Sequence, residues 1–95
     1  MENNTFEQIS NVLAGMHGLL KEKNIRYGNS ALEPANIFSK LDAKSSILIR
    51  LDDKIKRVQN STEIRPNDIS DIIGYCVLLL VSMGVTKEDI LTQID

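Results

Sequence analysis

Four charged side chains, Arg50, Asp53, Lys54 and Arg57, recur at spacings of three, one and three. In a helix that spacing puts all four on one contiguous stripe. Three cations beside one acid can clamp phosphate oxygens, since guanidinium and ammonium groups donate strongly to them. The same stripe is also what a solvated helix face carries, with Asp53 and Arg57 as an i,i+4 ion pair. A second group, Asp68, Asp71 and Tyr75, is spaced three and four. Two carboxylates one turn apart at a helix start are favoured by the positive end of the helix dipole. They also form half of an oxygen-ligand set for Mg²⁺, which would need acids from another helix, Asp52 or Asp53.

Several chemistries drop out on residue counts. His17 and Cys76 are the single histidine and the single cysteine, and they fall in different segments, so zinc-type sites and Cys-His pairs lack ligands. No glycine-rich phosphate loop or Walker-type lysine motif occurs. Net charge is −2, tryptophan is absent and aromatics are four, which disfavours binding to a nucleic-acid polymer.

Helices must position these groups, because no alternating strand pattern or Asn-Gly or Asp-Gly hairpin pair is present. From about Thr5 to Asn24, Phe6, Ile9, Leu13, Met16 and Leu20 share one face, with Asn4 and Glu7 placed as a cap. Gly15 and Gly18 weaken this helix by roughly 1 kcal/mol each relative to Ala, and a close helix contact would account for them. Residues 24 to 39 are punctuation: Tyr27-Gly28-Asn29-Ser30 is a turn, and Pro34 suits the start of a short helical turn holding Ile37 and Phe38. A second helix runs from about Ala43 to Asn60, capped by Asp42, with Ile47, Leu51, Ile55 and Val58 facing the core. A third starts near Asn67 and stops at Met83, with Gly84 as its left-handed end. A short fourth is opened by Thr86 and Asp89 as a capping box, with Ile90, Leu91 and Ile94 as its apolar face.

The expected fold is therefore all-α, one domain over residues 1–95, with three longer helices plus short helical turns. The third helix is apolar on nearly every side from Ile72 onward, and two partner helices cannot cover all of it. A second copy of the chain can, so a homo-oligomeric helical bundle is expected. No stretch reaches the roughly 20 apolar residues of a membrane span. Without a secretory leader, and with one cysteine in an apolar run, a cytoplasmic protein is expected.

Three motifs occur in order: Lys23-Asn24-Ile25-Arg26-Tyr27-Gly28-Asn29-Ser30, Ile49-Arg50-Leu51-Asp52-Asp53-Lys54-Ile55-Lys56-Arg57, and Asn67-Asp68-Ile69-Ser70-Asp71-Ile72-Ile73-Gly74-Tyr75. Together they resemble the phage and bacterial family called nucleotide modification associated domain 1, itself loosely similar to the MazG-like all-α nucleotide pyrophosphohydrolases. The resemblance spans residues 20 to 83 and implies a nucleotide-handling protein of phage type. Carried over residue by residue, it implies a ligand-facing set of Tyr27, Asn29 and Ser30 from the loop. Arg50, Asp53, Lys54 and Arg57 come from the second helix, and Asp68, Asp71 and Tyr75 from the third. MazG-like enzymes hold Mg²⁺ with acid pairs on two helices, and here Arg50 stands where one acid of the first pair belongs. The expectation is binding, and sequestration, of a small phosphorylated ligand without a resident cofactor. The alternative is Mg-dependent hydrolysis through Asp53, Asp68 and Asp71.

Overall fold

The computed structural model describes residues 4–37 and 40–93. Four helices follow one another: α1 (Thr5–Tyr27), α2 (Ala43–Asn60), α3 (Pro66–Ser82) and α4 (Lys87–Leu91). Among the described residues there is no strand, and the fold is all-α as the periodicity requires. No helix among them is long and apolar enough to cross a membrane.

Local chemistry explains most of the boundaries. The Asp42 carboxylate accepts the Ser45 backbone N–H at 2.7 Å, which satisfies one of the donors a helix start leaves open. Pro66 occupies the first turn of α3, where a missing N–H costs nothing, and it holds Arg65 in an extended conformation before it. The end of α3 is closed by bonds from the Met83 and Val85 N–H groups back to Leu79 and Leu80, and Gly84 supplies the positive φ of 72° that this reversal needs. Thr86 and Asp89 form the reciprocal capping box of α4.

Two local expectations fail. Asn4 sits in a helical conformation and makes no side-chain cap, so α1 opens without the anticipated box. Pro34 starts no helical turn: residues 34–36 are irregular, and Asn36 takes a positive φ of 54° instead. Asn is among the few side chains that accept that conformation. Phe38, expected in that turn, and Ile94, expected on the apolar face of α4, lie outside the described residues.

Helix α3 is the central element. It packs along α2 and touches α1 over a short stretch, while α1 and α2 make no backbone approach to each other. Ile47 is fully buried and Leu51 nearly so, which bears out half of the α2 core face. Val58 is half-buried, but Ile55 points outward at 53% exposure. On α1 only Met16 is buried, and Leu20 half-buried. Phe6, Ile9 and Leu13, expected in the core, are each more than half exposed because no other element reaches that end of the helix.

The close approach of α1 is made at Gly74 of α3, not at α1's own glycines. A β-carbon at Gly74 would lie 3.2 Å from Leu20 Cδ2, whereas nothing stands within 4 Å of one at Gly15 or Gly18. The resulting molecule is open. Its radius of gyration is 15.5 Å, against about 12.4 Å for a compact domain of this length.

Candidate functional site

A cleft opens where the last turns of α1 meet the first half of α3. Met16, Leu19, Leu20, Gly74 and Leu78 form its apolar wall, and Lys23, Asn24, Tyr27, Ser70, Asp71 and Tyr75 its polar one. The turn after α1 adds Gly28, Asn29, Ser30 and Ala31, and the space enclosed is about 160 Å³. Gly28 makes this turn possible with a φ of 64°. The Asn29 carbonyl then accepts the N–H groups of Leu32 at 3.1 Å and Glu33 at 2.8 Å, which folds the loop back over the cleft. The turn rests on the helix end through Asn24 Nδ2, which donates to the Gly28 carbonyl at 3.4 Å.

Asp71 joins the three long helices. Lys23 Nζ of α1 donates to its Oδ1 at 3.3 Å, and Lys54 Nζ of α2 to its Oδ2 at 3.1 Å. Partial burial of Asp71 by itself raises its pKa, but hydrogen bonds from Lys54 and Lys23, with their positive charges, outweigh that effect and hold the carboxyl below its ordinary value. The Asp71 carboxylate is about one-quarter exposed and lines the cleft, so a charged group stands at the cleft's edge with a cation on either side.

Asp68 is placed differently. It is buried at 1% exposure, and both of its carboxylate oxygens accept from the guanidinium of Arg65, Oδ2 from Nε at 3.2 Å and Oδ1 from Nη2 at 3.4 Å. This forked pair anchors the start of α3, and Asp68 does not line the cleft.

The ten ligand-facing positions expected from the sequence thus divide. Tyr27, Asn29, Ser30, Asp71 and Tyr75 come together in the cleft. Lys54 reaches its edge through Asp71. Arg50, Asp53 and Arg57 lie on the exposed outer face of α2, away from the cleft, and the anticipated Asp53–Arg57 ion pair does not form. The stripe is interrupted because Lys54, its most inward member, is drawn to Asp71 of the neighbouring helix.

Lys23 and Asn24 are cleft residues absent from the expected set. Their signal was their place in the same motif as Tyr27, one helical turn before it.

Three acids for a metal do not converge. Asp53 is exposed on α2, Asp68 is committed to Arg65 and Asp71 to two lysines. Among the described residues, no three carboxylate, imidazole or thiol groups are arranged to hold an ion. Asp53, Asp68 and Asp71 as they stand do not fit Mg²⁺. His17 is exposed on α1, and Cys76 is exposed on α3 as a free thiol. No protein-family model, curated protein or solved structure matches the chain.

Proposed function

We propose that the chain is a small nucleotide-binding protein of phage type that sequesters a nucleotide or nucleotide-derived signal in the α1–α3 cleft. The observation carrying this reading is that Tyr27, Asn29 and Ser30 share one apolar-walled cleft with Asp71 and Tyr75 of α3, far from them in sequence. Such a site takes a flat ring against its apolar side and reads the ring's edge with a few polar groups. Tyr27 and Tyr75 offer aromatic faces, and Asn29 and Ser30 offer donors and acceptors. Lys23, about half exposed at the rim, is the cation placed to meet a phosphate. Asp68 and Asp71 are both engaged by cations, which favours binding over metal-assisted hydrolysis.

The test is a panel of mono-, di- and cyclic nucleotides incubated with the protein and then released by heat. Intact ligand is the expected recovery, with a raised melting temperature while it is bound. Tyr75→Ala and Lys23→Gln should each weaken binding roughly tenfold or more, in the range of one lost stacking or charged contact. Conversion to product, or a flat thermal-shift screen across the panel, would reject this reading.

The reading includes a homo-oligomer, supported by surface area. The chain exposes 7921 Å², against about 5,500 Å² for a folded monomer of its mass. The excess surpasses the roughly 800 Å² per partner that a stable interface takes up. On α3 the exposed large apolar side chains are Ile69, Val77, Leu80 and Val81, between 36% and 52% exposed, and Met83 follows just after it at 55%. Light scattering should give at least twice the 10.6 kDa chain mass at micromolar concentration, and a monomer there would remove this part of the reading.

A further inference from the structure

We infer that the N-terminal half of α1 is an intermolecular arm, and that its occupant is the outer stripe of α3 in a second copy of the chain. This deepens the homo-oligomer reading and rests on it, whereas the ligand reading can stand or fall separately.

Phe6, Ile9 and Leu13 lie on the same face of α1 as Met16 and Leu20. The later pair already docks on α3 of its own chain, at Gly74. The earlier three run on past that contact and are 71%, 53% and 60% exposed among the described residues. One continuous helix face is therefore suited to α3 along its length, but its own α3 serves only the C-terminal half. An isolated helical segment of nine residues, Thr5 to Leu13, is marginal in water unless its apolar face is covered.

Helix α3 carries a free apolar surface of its own, and α2 exposes Leu48, Ile49 and Ile55 as well. On α3, Ile69, Cys76, Val77 and Leu80 are exposed and share one side of the helix, apart from the buried Asp68 and Gly74. From Ile72 to Met83 the helix carries no charge, so nothing there opposes an apolar helix laid upon it. The arm spans about 13 Å and the stretch from Ile69 to Leu80 about 17 Å, so the arm fits within it. If one copy's arm lies on its partner's α3, the reverse contact closes a two-fold dimer. The two reciprocal contacts draw on the area that a monomer leaves exposed.

Cys76, the chain's single cysteine, sits on the outer stripe and gives a direct probe. Ile9→Cys or Leu13→Cys, mildly oxidised, should yield a disulfide-linked dimer on a non-reducing gel. Adding Cys76→Ser should abolish that product. A link that persists without Cys76 means arm pairs with arm, and an intrachain link means the arm folds onto its own α3; either overturns the inference, as does the absence of any link from both positions.

Charge substitution supplies the second measurement. Leu13→Asp and Leu80→Asp, both at exposed positions, should keep their helical circular dichroism and each halve the mass seen by light scattering. Mixing the two should restore dimer, because one unmodified arm then meets one unmodified α3. Should Leu80→Asp leave the dimer intact, or should mixing restore nothing, the inference fails. Nucleotide binding measured calorimetrically on the same variants reports on the cleft independently of assembly.

Discussion

The α2–α3 pair and helix α1 are built from similar proportions of apolar residues, yet they use them very differently. Between α2 and α3, Ile47 is wholly enclosed, Leu51 is 8% exposed, and Asp68 is buried with its oxygens on Arg65. Helix α1 is longer, at 23 residues, but buries only Met16. Pairing of two amphipathic faces along their length makes the first region a core, while a short contact at Gly74 makes the second an attachment. What differs is whether a second face is within reach, not how apolar the first one is. The cleft sits on the seam between the two regions, with α1 forming one wall and α3 the other.

The sharpest way to break the comparison is to empty each region's buried position in turn. Ile47→Ala should cost about 2–5 kcal/mol, because a closed site cannot collapse around the missing atoms. Met16→Ala should fall at or below the lower end of that range, since its neighbours face solvent and can relax. Urea denaturation read by circular dichroism checks the ranking. Equal losses would mean that α1 is as much a part of the core as α2.

A smaller effect addresses the joint itself. The pKa of Asp71 lies below its ordinary value in the folded chain, so its ion pairs contribute stability above the unfolded carboxylate value, near 3.8. That contribution is lost as pH falls below this value and through the folded pKa. The two lysines are 46% and 20% exposed, so screening leaves it on the order of 1 kcal/mol. Asp71→Asn should lower stability at pH 7 by that amount and flatten the decline as pH falls below the unfolded carboxylate value. Asp42 and Asp89, also lowered by their cap hydrogen bonds, leave a residual slope of the same sign. An unchanged profile in Asp71→Asn would show that the three helices are held together without this pin.

How much of this was legible in the sequence follows from how local each signal is. The Asp42 and Thr86 caps and the Gly84 stop depend on a few adjacent residues and were readable, while the start of α3, expected near Asn67, falls one residue earlier at Pro66. The cleft's loop and α3 members were readable as positions, through Tyr27, Asn29, Ser30, Asp71 and Tyr75. What the pattern could not reveal is which of several equivalent partners a side chain takes. Arg50, Lys54 and Arg57 are cations on one stripe, but only Lys54 meets a carboxylate across the helix interface, and the Arg50–Arg57 stripe is divided by that choice. Likewise a periodic apolar face identifies Phe6, Ile9 and Leu13 as a surface seeking cover, without saying whether the cover lies in the same chain.

The smallest expected effect tests the other side of α1. Gly15 and Gly18 read in sequence as places where another helix comes close, yet a β-carbon at either position meets nothing within 4 Å. Both lie off the face shared by Phe6, Ile9 and Leu13, so alanine there leaves both the cleft wall and the arm untouched. With no contact to lose, only the backbone matters: glycine in a helix interior costs about 0.5–1 kcal/mol relative to alanine. Gly15→Ala and Gly18→Ala should therefore each stabilise the protein by roughly that amount, seen as a higher urea midpoint at unchanged slope. Because the gain falls on α1 alone, amide exchange should slow along residues 5 to 27 more than along α2. If either variant instead weakens the protein or its assembly, a helix does pack against the glycine side, and α1 is enclosed from a direction that the single chain leaves open.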